Sequence, residues 1–458
     1  MQGISGPMQL SWEFVLMENL VPQDHLVRKL LAVLNLDFIY EETRKLYSKM
    51  GRPSIDPVVL VKFLLIGYLF GIPSERQIEW RIQTDFALRW YLGLNLSDSV
   101  PDHSTISQNR RRRPAFRKVF RRLFEEVVRQ CVEAGLVSGR VVGTDSTHVK
   151  ACASRASEYL AEVEEEPGVY WERLDQYEEA AQAELVQKTG RRQKKRTKQI
   201  KRDRRHPHRR VSRTDPEAGY LNRPGKPKGM HYLSHQTLDT DHGIILDVAV
   251  SSGDVSDAAP YLNQLERVHR EVIPIQCATA DAIYDFPLAH QVLGERGIDF
   301  CVRPIKHHGQ TAVEINRDAF SYDEKQDCYL CPNEKQLRLN TLRRSSSGLH
   351  WVYSADRCDC QACPLKEKCL SECRKNGARK LERSYFEPAV QRDLNRASEP
   401  EYQEALRLRQ IWCEGTFAAQ KWGHNLTRVL RRGLEAAEDH CLLSATAMNL
   451  KRMIRCLG

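Results

Sequence analysis

The sequence has no long uninterrupted apolar run and no export signal at its start. Its longest apolar stretch, residues 58–72, contains Lys62 and Gly67 and is shorter than the ~20 apolar residues that span a bilayer. The first ten residues, MQGISGPMQL, lack the basic segment followed by an apolar stretch that marks a secretory signal. These absences argue against a membrane or secreted protein and favour a cytoplasmic one.

Acidic residues are outnumbered by basic ones. Lys and Arg total 70, Asp and Glu total 60, and the formal net charge of the 458 residues is therefore +10. A positive balance suits a polyanionic partner without identifying one. A chain of this length is also too long for one ordinary core, so we expect two or more structural units.

Half of the 14 cysteines lie between residues 328 and 373. This clustering favours a metal site in a reducing compartment over a disulfide scaffold. An iron–sulfur cluster is less favoured because nothing else indicates electron transfer. Two CxxC pairs give the preferred ligands of a structural zinc ion: Cys328, Cys331, Cys360 and Cys363. Three further thiols remain as substitutes: Cys358, Cys369 and Cys373. We expect no catalytic role, because all-thiolate zinc sites are closed.

The first part of the chain, residues 12–125, has the apolar periodicity of helices. One of them is predicted to begin at Asp56 as N-cap with Pro57 in its first turn, and to be a buried core helix. A short helix is predicted to begin near Thr105, capped by Asp102 or Ser104. A basic tail follows it: Arg110, Arg111, Arg112 and Arg113. A helix-turn-helix that contacts phosphates and a solvated basic helix both fit this pattern.

The middle of the chain alternates strands and helices, which indicates an α/β layer. Strands are predicted at residues 141–150, in a hairpin that turns at residues 239–243, and in IQCATAD and DFCVRP. Between the first strand and the hairpin lie the acidic stretch EYLAEVEEE, predicted to be helical, and a basic run at residues 191–213 with thirteen Lys or Arg and one Asp. Such concentrated charge should be mobile or lie on a polyanion. Residues 398–422 are predicted to form one long helix.

Three acids stand out by context: Asp145 on the first strand, Asp281 at the end of IQCATAD, and Glu414 in the late helix. Buried carboxylates are usually paired or bind a cation. Three convergent ones with open positions suit Mg²⁺, and two ions about 3.5–4 Å apart would clamp the attacking and leaving oxygens of a displacement at phosphorus. For each acid alone, a turn cap or a surface residue is the simpler interpretation. Asp145 would bridge both ions.

Lys421 lies seven residues after Glu414, so both project from one helix face. Its ammonium could contact the phosphate that is cleaved. His148 and Tyr284 are the neighbouring polar side chains that could position DNA, although a structural role is the commoner one for each.

At these residues the sequence resembles the DDE transposases of bacterial insertion sequences. The motifs are PDHSTIS, VVGTDSTHVKA, ATADAIYDF, EGTFAAQK with its E-x₆-K spacing, and RRGLEAAEDHCLLSATAMNL. The resemblance implies an RNase H-like fold and Mg²⁺- or Mn²⁺-dependent cleavage and strand transfer, with Asp145, Asp281 and Glu414 as the ligands of two metal ions. The alternatives are an RNase H-like nuclease without strand transfer and an inactive zinc-containing DNA-binding protein.

The resemblance also implies the partners and the domains. The partners would be the terminal inverted repeats of a transposon and target DNA, bound by a homodimer associated with the nucleoid. The expected DNA contacts are Lys421, His148, Tyr284, Arg110, Arg111, Arg112, Arg113 and Arg428. The expected architecture is α/β: an all-α DNA-binding domain (1–130), an RNase H-like catalytic domain (138–303 and 384–458), a basic insertion (155–229) and a Cys-rich, zinc-binding insertion (304–383).

Two positions depart from the family pattern. The relatives usually carry Gly before the Tyr of the second motif, where this chain has Ile283. Relatives of one branch place an Arg four residues before the Glu and a Tyr three residues before that Arg. Gln410 and Arg407 occupy these positions here, which leaves Arg409 as the substitute.

Overall fold

The N-terminal part forms helices, as its apolar periodicity predicts. The structure, a computed structural model, describes residues 14–47, 50, 54–112, 116–162, 170–190, 208–304, 313–345, 347–371 and 375–457. The first helices are α1 Met17–Leu20, α2 Leu26–Val33, α3 Phe38–Thr43, α4 Pro57–Leu69, α5 Glu75–Thr84, α6 Phe86–Leu92, α7 His103–Arg112 and α8 Phe116–Glu133. Asp56 caps α4 as predicted by accepting the Val58 N–H at 2.7 Å, and most of α4 is buried. Among the described helices, none has the length and apolar character needed to cross a bilayer.

A mixed sheet forms the centre of the chain. In chain order the elements are β1 Val141–Lys150, β2 Glu158–Glu162, α9 Trp171–Thr189, β3 His208–Ser212, β4 Gly219–Leu221, β5 Gly229–Asp239, β6 Ile245–Ser252, α10 Tyr261–Arg267, β7 Cys277–Ala280, α11 Pro287–Glu295 and β8 Asp299–Val302. Within the described residues, six strands form this sheet in the order β4–β5–β1–β7–β8, with β6 also paired to β5. β1, β7 and β8 are parallel, and β5 is antiparallel to β1.

The helix predicted for EYLAEVEEE is wrong. Residues 158–162 form β2, which pairs with β3 in a separate two-stranded sheet, and the helix of this region is α9. The cause is a partner strand that lies far along the chain, which local periodicity cannot reveal. Most of the basic run, residues 191–207, lies outside the described residues.

The Cys-rich segment folds as its own sheet. Its elements are β9 Ser321–Asp323, β10 Cys328–Leu330, β11 Gln336–Ser345, β12 Gly348–Ser354, α12 Arg357–Gln361, α13 Lys366–Cys369 and β13 Lys380–Ser384. The strands are antiparallel in the order β13–β12–β11–β10–β9. α9 packs on this sheet, where Arg344 of β11 donates to the Trp171 carbonyl at 2.6 Å and stacks on the Trp171 ring. Helix α9 therefore contacts the Cys-rich segment.

The C-terminal helices complete the fold. They are α14 Glu387–Asn395, α15 Pro400–Arg409, a π-helical turn Gln410–Glu414, α16 Gly415–Gly423 and α17 Leu434–Leu457. α15, the π turn and α16 follow one another without a break, so the predicted long helix is present with one wide turn. Tyr402 anchors α15 to the end of β8, because its hydroxyl donates to the Val302 carbonyl at 2.6 Å and accepts the Val302 N–H at 3.0 Å.

α17 joins the N-terminal helices to the sheet. It is buried along most of its length and packs against α4, α8 and β6. Asn449 of α17 makes two hydrogen bonds of 2.8 Å with the backbone of Ile245, and His440 bonds to Tyr68 of α4 at 2.9 Å. The helices and the sheet consequently share one connected apolar core.

Candidate active site

Two of the predicted acids stand at the ends of neighbouring parallel strands. β1 and β7 are paired up to Thr144 and Ala280, so Asp145 and Asp281 are the next residues in register. β1 continues to Lys150 with β5 as its partner, which places Asp145 where the parallel pairing stops. Carboxyl ends of parallel strands are the usual position of ligand sites in α/β sheets. The sheet therefore brings two of the three acids side by side.

Glu414 approaches the same place from the helix that covers the sheet. α15 lies against β1, β7 and β8, and Glu414 is the last residue of the π turn that follows. Arg409 bridges the two elements: its Nη1 donates to Asp145 Oδ2 at 3.3 Å, and its Nη2 lies 3.6 Å from Glu414 Oε1. One guanidinium thus contacts both the strand acid and the helix acid.

The strand and the helix pack closely at this point. Gly143 faces the helix two residues before Asp145, on the same side of β1. A Cβ built on Gly143 would lie 3.0 Å from the Cys413 sulfur, which is closer than most such contacts allow. Glycine at this position therefore lets the helix that carries Arg409 and Glu414 approach the strand that carries Asp145.

Asp145 is in an environment that disfavours an isolated negative charge. Burial raises its pKa from 3.8 to about 6, against the opposing effects of the Arg409 cation and the Ser146 N–H. The negative charges of Asp281 and Asp257 add smaller contributions in the same direction to the pKa of Asp145. The ionised form of such a buried carboxyl group is stabilised by a nearby cation.

The spacing of the acids is wider than that of a closed metal cage. Among the described residues, the group of three His, Cys, Asp or Glu ligand atoms that lie within 4.8 Å of one another is Glu79, Asp102 and His103. That group ties α5 to the start of α7, since the His103 N–H and ring nitrogen contact Glu79 at 2.9 and 2.6 Å. At the sheet edge the Arg409 guanidinium contacts Asp145 and lies 3.6 Å from Glu414. Carboxylate oxygens are nevertheless the donors that Mg²⁺ and Mn²⁺ prefer.

Two family models match the chain. A transposase domain (DUF772) matches residues 15–112, the region of α1 to α7. A transposase DDE domain matches residues 330–454, which include Glu414 and Lys421. The chain is a DDE-type transposase. Neither match includes Asp145 or Asp281. The position of these two acids at adjacent strand ends is therefore the observation that links them to the site.

Among solved structures, the transposase is similar to piggyBac transposase in a cryo-EM synaptic complex with hairpin DNA. The identity is 10% and the TM-score 0.31, over 94% of this chain and 73% of that chain. No curated protein matches this transposase.

Lys421 and His148 lie together beyond the acids. Burial and the nearby Lys421 lower the pKa of His148 to about 4, and its ring meets the His231 ring edge-on at 5.6 Å. The pKa of Lys421 is itself lowered by burial and by Lys226. β1 thus leads from Asp145 to a cluster of cations, with a neutral imidazole at neutral pH beside them.

Tyr284 does not fit the DNA-positioning role predicted for it. Its side chain is 1% exposed, and its ring packs against Tyr261 at 4.9 Å. The turn after Asp281 directs Tyr284 into the core and leaves Ile283 47% exposed. A side chain buried in this way packs the sheet edge and does not face solvent.

Arg110 and Arg428 line a cleft of about 410 Å³ between the N-terminal helices and residues 425–440. Arg431 lines it as well, and burial together with the nearby Arg110 lowers the Arg431 pKa. Two nitrogens here, Arg110 Nε and Arg431 Nη1, are buried with no hydrogen-bond partner among the described residues. The side chains of Arg111 and Arg112, and all of Arg113, lie outside the described residues.

Four thiols of the Cys-rich insertion face one cavity of about 30 Å³: Cys331, Cys360, Cys363 and Cys369. Cys328 does not line it. This residue is 2% exposed on β10, between Asp323 and Arg338 of the neighbouring strands. Three members of the predicted ligand set therefore lie together, with Cys369 in place of Cys328. Cys358 is exposed, and Cys373 lies outside the described residues.

Sequence reasoning missed Arg431 and His231. Arg431 had a weak signal as part of the RRGLEAAEDH motif, but only the packing of α17 against α4 shows that it faces the Arg110 cleft. His231 had no signal, because its place beside His148 depends on the register of β1 with β5.

Proposed function

We propose that this transposase cleaves DNA at the ends of a mobile element and joins the ends to target DNA, with Asp145, Asp281 and Glu414 holding two Mg²⁺ or Mn²⁺ ions. The observation that carries the proposal is the contact of one guanidinium with Asp145 and Glu414, which are far apart in sequence. Asp281 stands beside Asp145 at the next strand end. Carboxylates gathered at one sheet edge suit divalent ions.

The sheet supports an RNase H-like catalytic domain formed by residues 138–303 and 384–458. β1 is central, with antiparallel β5 on one side and parallel β7 and β8 on the other. We assign residues 1–130 to an all-α DNA-binding domain, and residues 155–229 and 304–383 to the basic and Cys-rich insertions.

Bound divalent ions would supply an activated water and would neutralise charge that develops at phosphorus. The remaining work falls to this chain's own side chains. Arg409 orients Asp145 and Glu414 by contacting both. Lys421 offers an ammonium for a phosphate oxygen, and the neutral His148 ring beside it can bond to DNA without adding charge.

The arginine cleft is the proposed grip on the DNA backbone. Arg110 and Arg431 repel each other, and each has a buried nitrogen without a protein partner. Arg110 is already paired with Glu75, and Arg431 is paired with Asp439 at 2.7 Å. Phosphate oxygens that reach the cleft would therefore add hydrogen bonds to guanidinium groups whose charges are partly compensated. Exposed Arg428 stands at the mouth, beside the end of β1. DNA bound in the cleft would therefore run from the N-terminal helices toward the acids. We further propose that a homodimer pairs the two DNA ends.

A strand-transfer assay with Mg²⁺ and element-end DNA tests the proposal. We expect joined product from the wild type and none from Asp145→Ala, with DNA binding by both. Cleavage without joining would instead indicate a nuclease. Binding without either reaction in the wild type would indicate an inactive DNA-binding protein.

A further inference from the structure

The small cavity of the Cys-rich insertion has the composition of a metal site. Besides the four thiols, its wall includes apolar side chains such as Phe320, Leu337 and Leu370. Its volume of about 30 Å³ has room for about two or three water-sized bodies, which suits a single metal ion. All four cysteines are free thiols in the structure.

We propose that Cys331, Cys360, Cys363 and Cys369 bind one structural zinc ion. The backbone around two of the sulfurs is arranged to stabilise thiolates. The Lys335 N–H donates to Cys331 Sγ at 3.3 Å, and the Arg379 N–H donates to Cys360 Sγ at 3.4 Å. Such outer hydrogen bonds orient ligands and stabilise their negative charge.

A tight turn brings Cys331 into the cavity and leaves Cys328 out. The Cys331 N–H donates to the Lys335 carbonyl at 2.9 Å, the Glu334 N–H donates to the Cys331 carbonyl at 2.7 Å, and Glu334 has a φ of 58°. Cys331 thus departs from the strand, whereas Cys328 stays in the β10 ladder with Asp323 and Arg338 as neighbours. Cys369 at the end of α13 supplies the fourth sulfur.

The ion would fix two helices that are too short to be stable alone. α12 has 5 residues and α13 has 4, whereas isolated helices need about 12–15 residues to persist in water. Zinc would tie both helices to the β10–β11 turn. No three of these four sulfurs lie mutually within 4.8 Å, and zinc–sulfur bonds of about 2.3 Å place sulfurs about 3.8 Å apart. Binding should therefore draw the four thiols inward.

Metal analysis of the full-length chain tests the ligand set. We expect one zinc per chain in wild type expressed with added zinc, and loss of that zinc in Cys369→Ser and Cys363→Ser. Two matched variants, Cys328→Ala and Cys358→Ser, should keep it. Zinc-free wild type, retention of zinc in Cys369→Ser, or loss in Cys328→Ala would each overturn the proposal.

A second measurement does not depend on how well the variants fold. Chelation of zinc from the wild type should make residues 313–371 sensitive to a protease, and added zinc should restore protection. Cobalt substitution should give the charge-transfer absorption of thiolate-bound metal. Unchanged protease sensitivity after complete removal of zinc would contradict the structural role. Neither readout involves DNA, so failure here is separate from failure of the proposed transposition chemistry.

Discussion

At the scale of single residues, Arg409 has the most informative position. A carboxylate taken out of water needs a cation, and Arg409 contacts the largely buried Asp145. It also lies 3.6 Å from Glu414, whose side chain is 58% exposed. The guanidinium is itself largely buried, with a side chain 13% exposed. We therefore expect Arg409 to stabilise the metal-free transposase, because its positive charge compensates Asp145 in the absence of metal ions.

Replacing Arg409 tests that role. Arg409→Gln leaves the largely buried Asp145 without this cation, so unfolding in EDTA should become easier by about 1–3 kcal/mol. Mg²⁺ should reduce the difference from wild type. Arg407→Gln is the control, because exposed Arg407 pairs with Glu404 on the same helix turn and should change stability little. Equal stability of Arg409→Gln and wild type in EDTA would refute the account, and urea unfolding provides the measurement.

The pKa of Asp145 predicts a pH dependence of stability without metal. Because its pKa is raised from 3.8 to about 6, the native chain holds this proton more tightly than the unfolded chain does. The stabilising contribution is complete below about pH 4 and is lost as the pH rises through 6, on the order of 2–3 kcal/mol. Asp145→Asn cannot ionise, so its free energy of unfolding should exceed that of wild type progressively across this window. Parallel pH profiles of the two proteins in EDTA would contradict the assignment.

At the scale of elements, the π turn Gln410–Glu414 sets the direction of Glu414 and Lys421. Single wide turns inside helices occur often at functional sites, and this one ends at Glu414. Removing one residue would restore an α-helix and rotate everything that follows by about 100° relative to α15. The orientation of α16 toward β1 therefore depends on the extra residue.

Deletion of Ile411 tests the turn, because this side chain is 51% exposed and contributes little packing. We expect strand transfer to fall by at least about 100-fold, with an unchanged circular dichroism spectrum. Ile411→Ala keeps the residue count and should remain active. Full activity of the deletion variant would show that the π turn has no part in the site.

The close approach of β1 and the helix predicts a second effect. In Gly143→Ala the new Cβ meets the Cys413 sulfur at 3.0 Å, so the free energy of unfolding should fall by about 1–3 kcal/mol. Combining it with Cys413→Ala should recover part of the loss. Gly415→Ala, where a Cβ meets nothing within 4 Å, is the control. Denaturant unfolding that shows equal stability for Gly143→Ala and Gly415→Ala would exclude the contact.

Many of the helices and strands could be predicted from the sequence, and each wrong prediction has a physical cause. β1, the hairpin and the capped start of α4 follow local rules of alternation, turn residues and capping. The helix predicted at residues 158–162 is wrong because β2 pairs with β3, which lies far along the chain. The sequence predicts a DNA contact for Tyr284, which is buried instead, because its motif does not encode the direction of the turn. Cys369 lines the cavity and Cys328 does not, because the CxxC spacing does not reveal that Cys328 is paired in the β10 ladder.

At the scale of the whole molecule, α17 links the N-terminal helices and the sheet in one core. The arginine cleft lies along this junction, so DNA held there would touch residues of both regions. Disrupting the packing of α17 at this junction should therefore weaken DNA binding and strand transfer together. The positive net charge of the chain then favours DNA association at long range.

The salt dependence of DNA binding tests the cleft. Arg428→Ala removes an exposed cation at the mouth of the cleft. The plot of log K against log salt should therefore become less steep, by about 1 in the magnitude of its slope, and affinity should drop for all DNA sequences alike. Arg129→Ala is the control, because Arg129 is already paired with Glu126 and Glu133. Equal slopes for Arg428→Ala and wild type in a fluorescence-anisotropy titration would exclude this route for DNA.

The central claim is that three distant acids form one divalent-metal site. Mn²⁺ binding to the DNA-bound transposase, followed by electron paramagnetic resonance, tests it most directly. A His103→Ala background removes the separate Glu79, Asp102 and His103 group. The account predicts that Asp145→Asn, Asp281→Asn and Glu414→Gln each weaken the same Mn²⁺ binding, whereas Glu401→Gln on the same helix leaves it intact. Unchanged Mn²⁺ binding in any of the three acid variants would contradict the account.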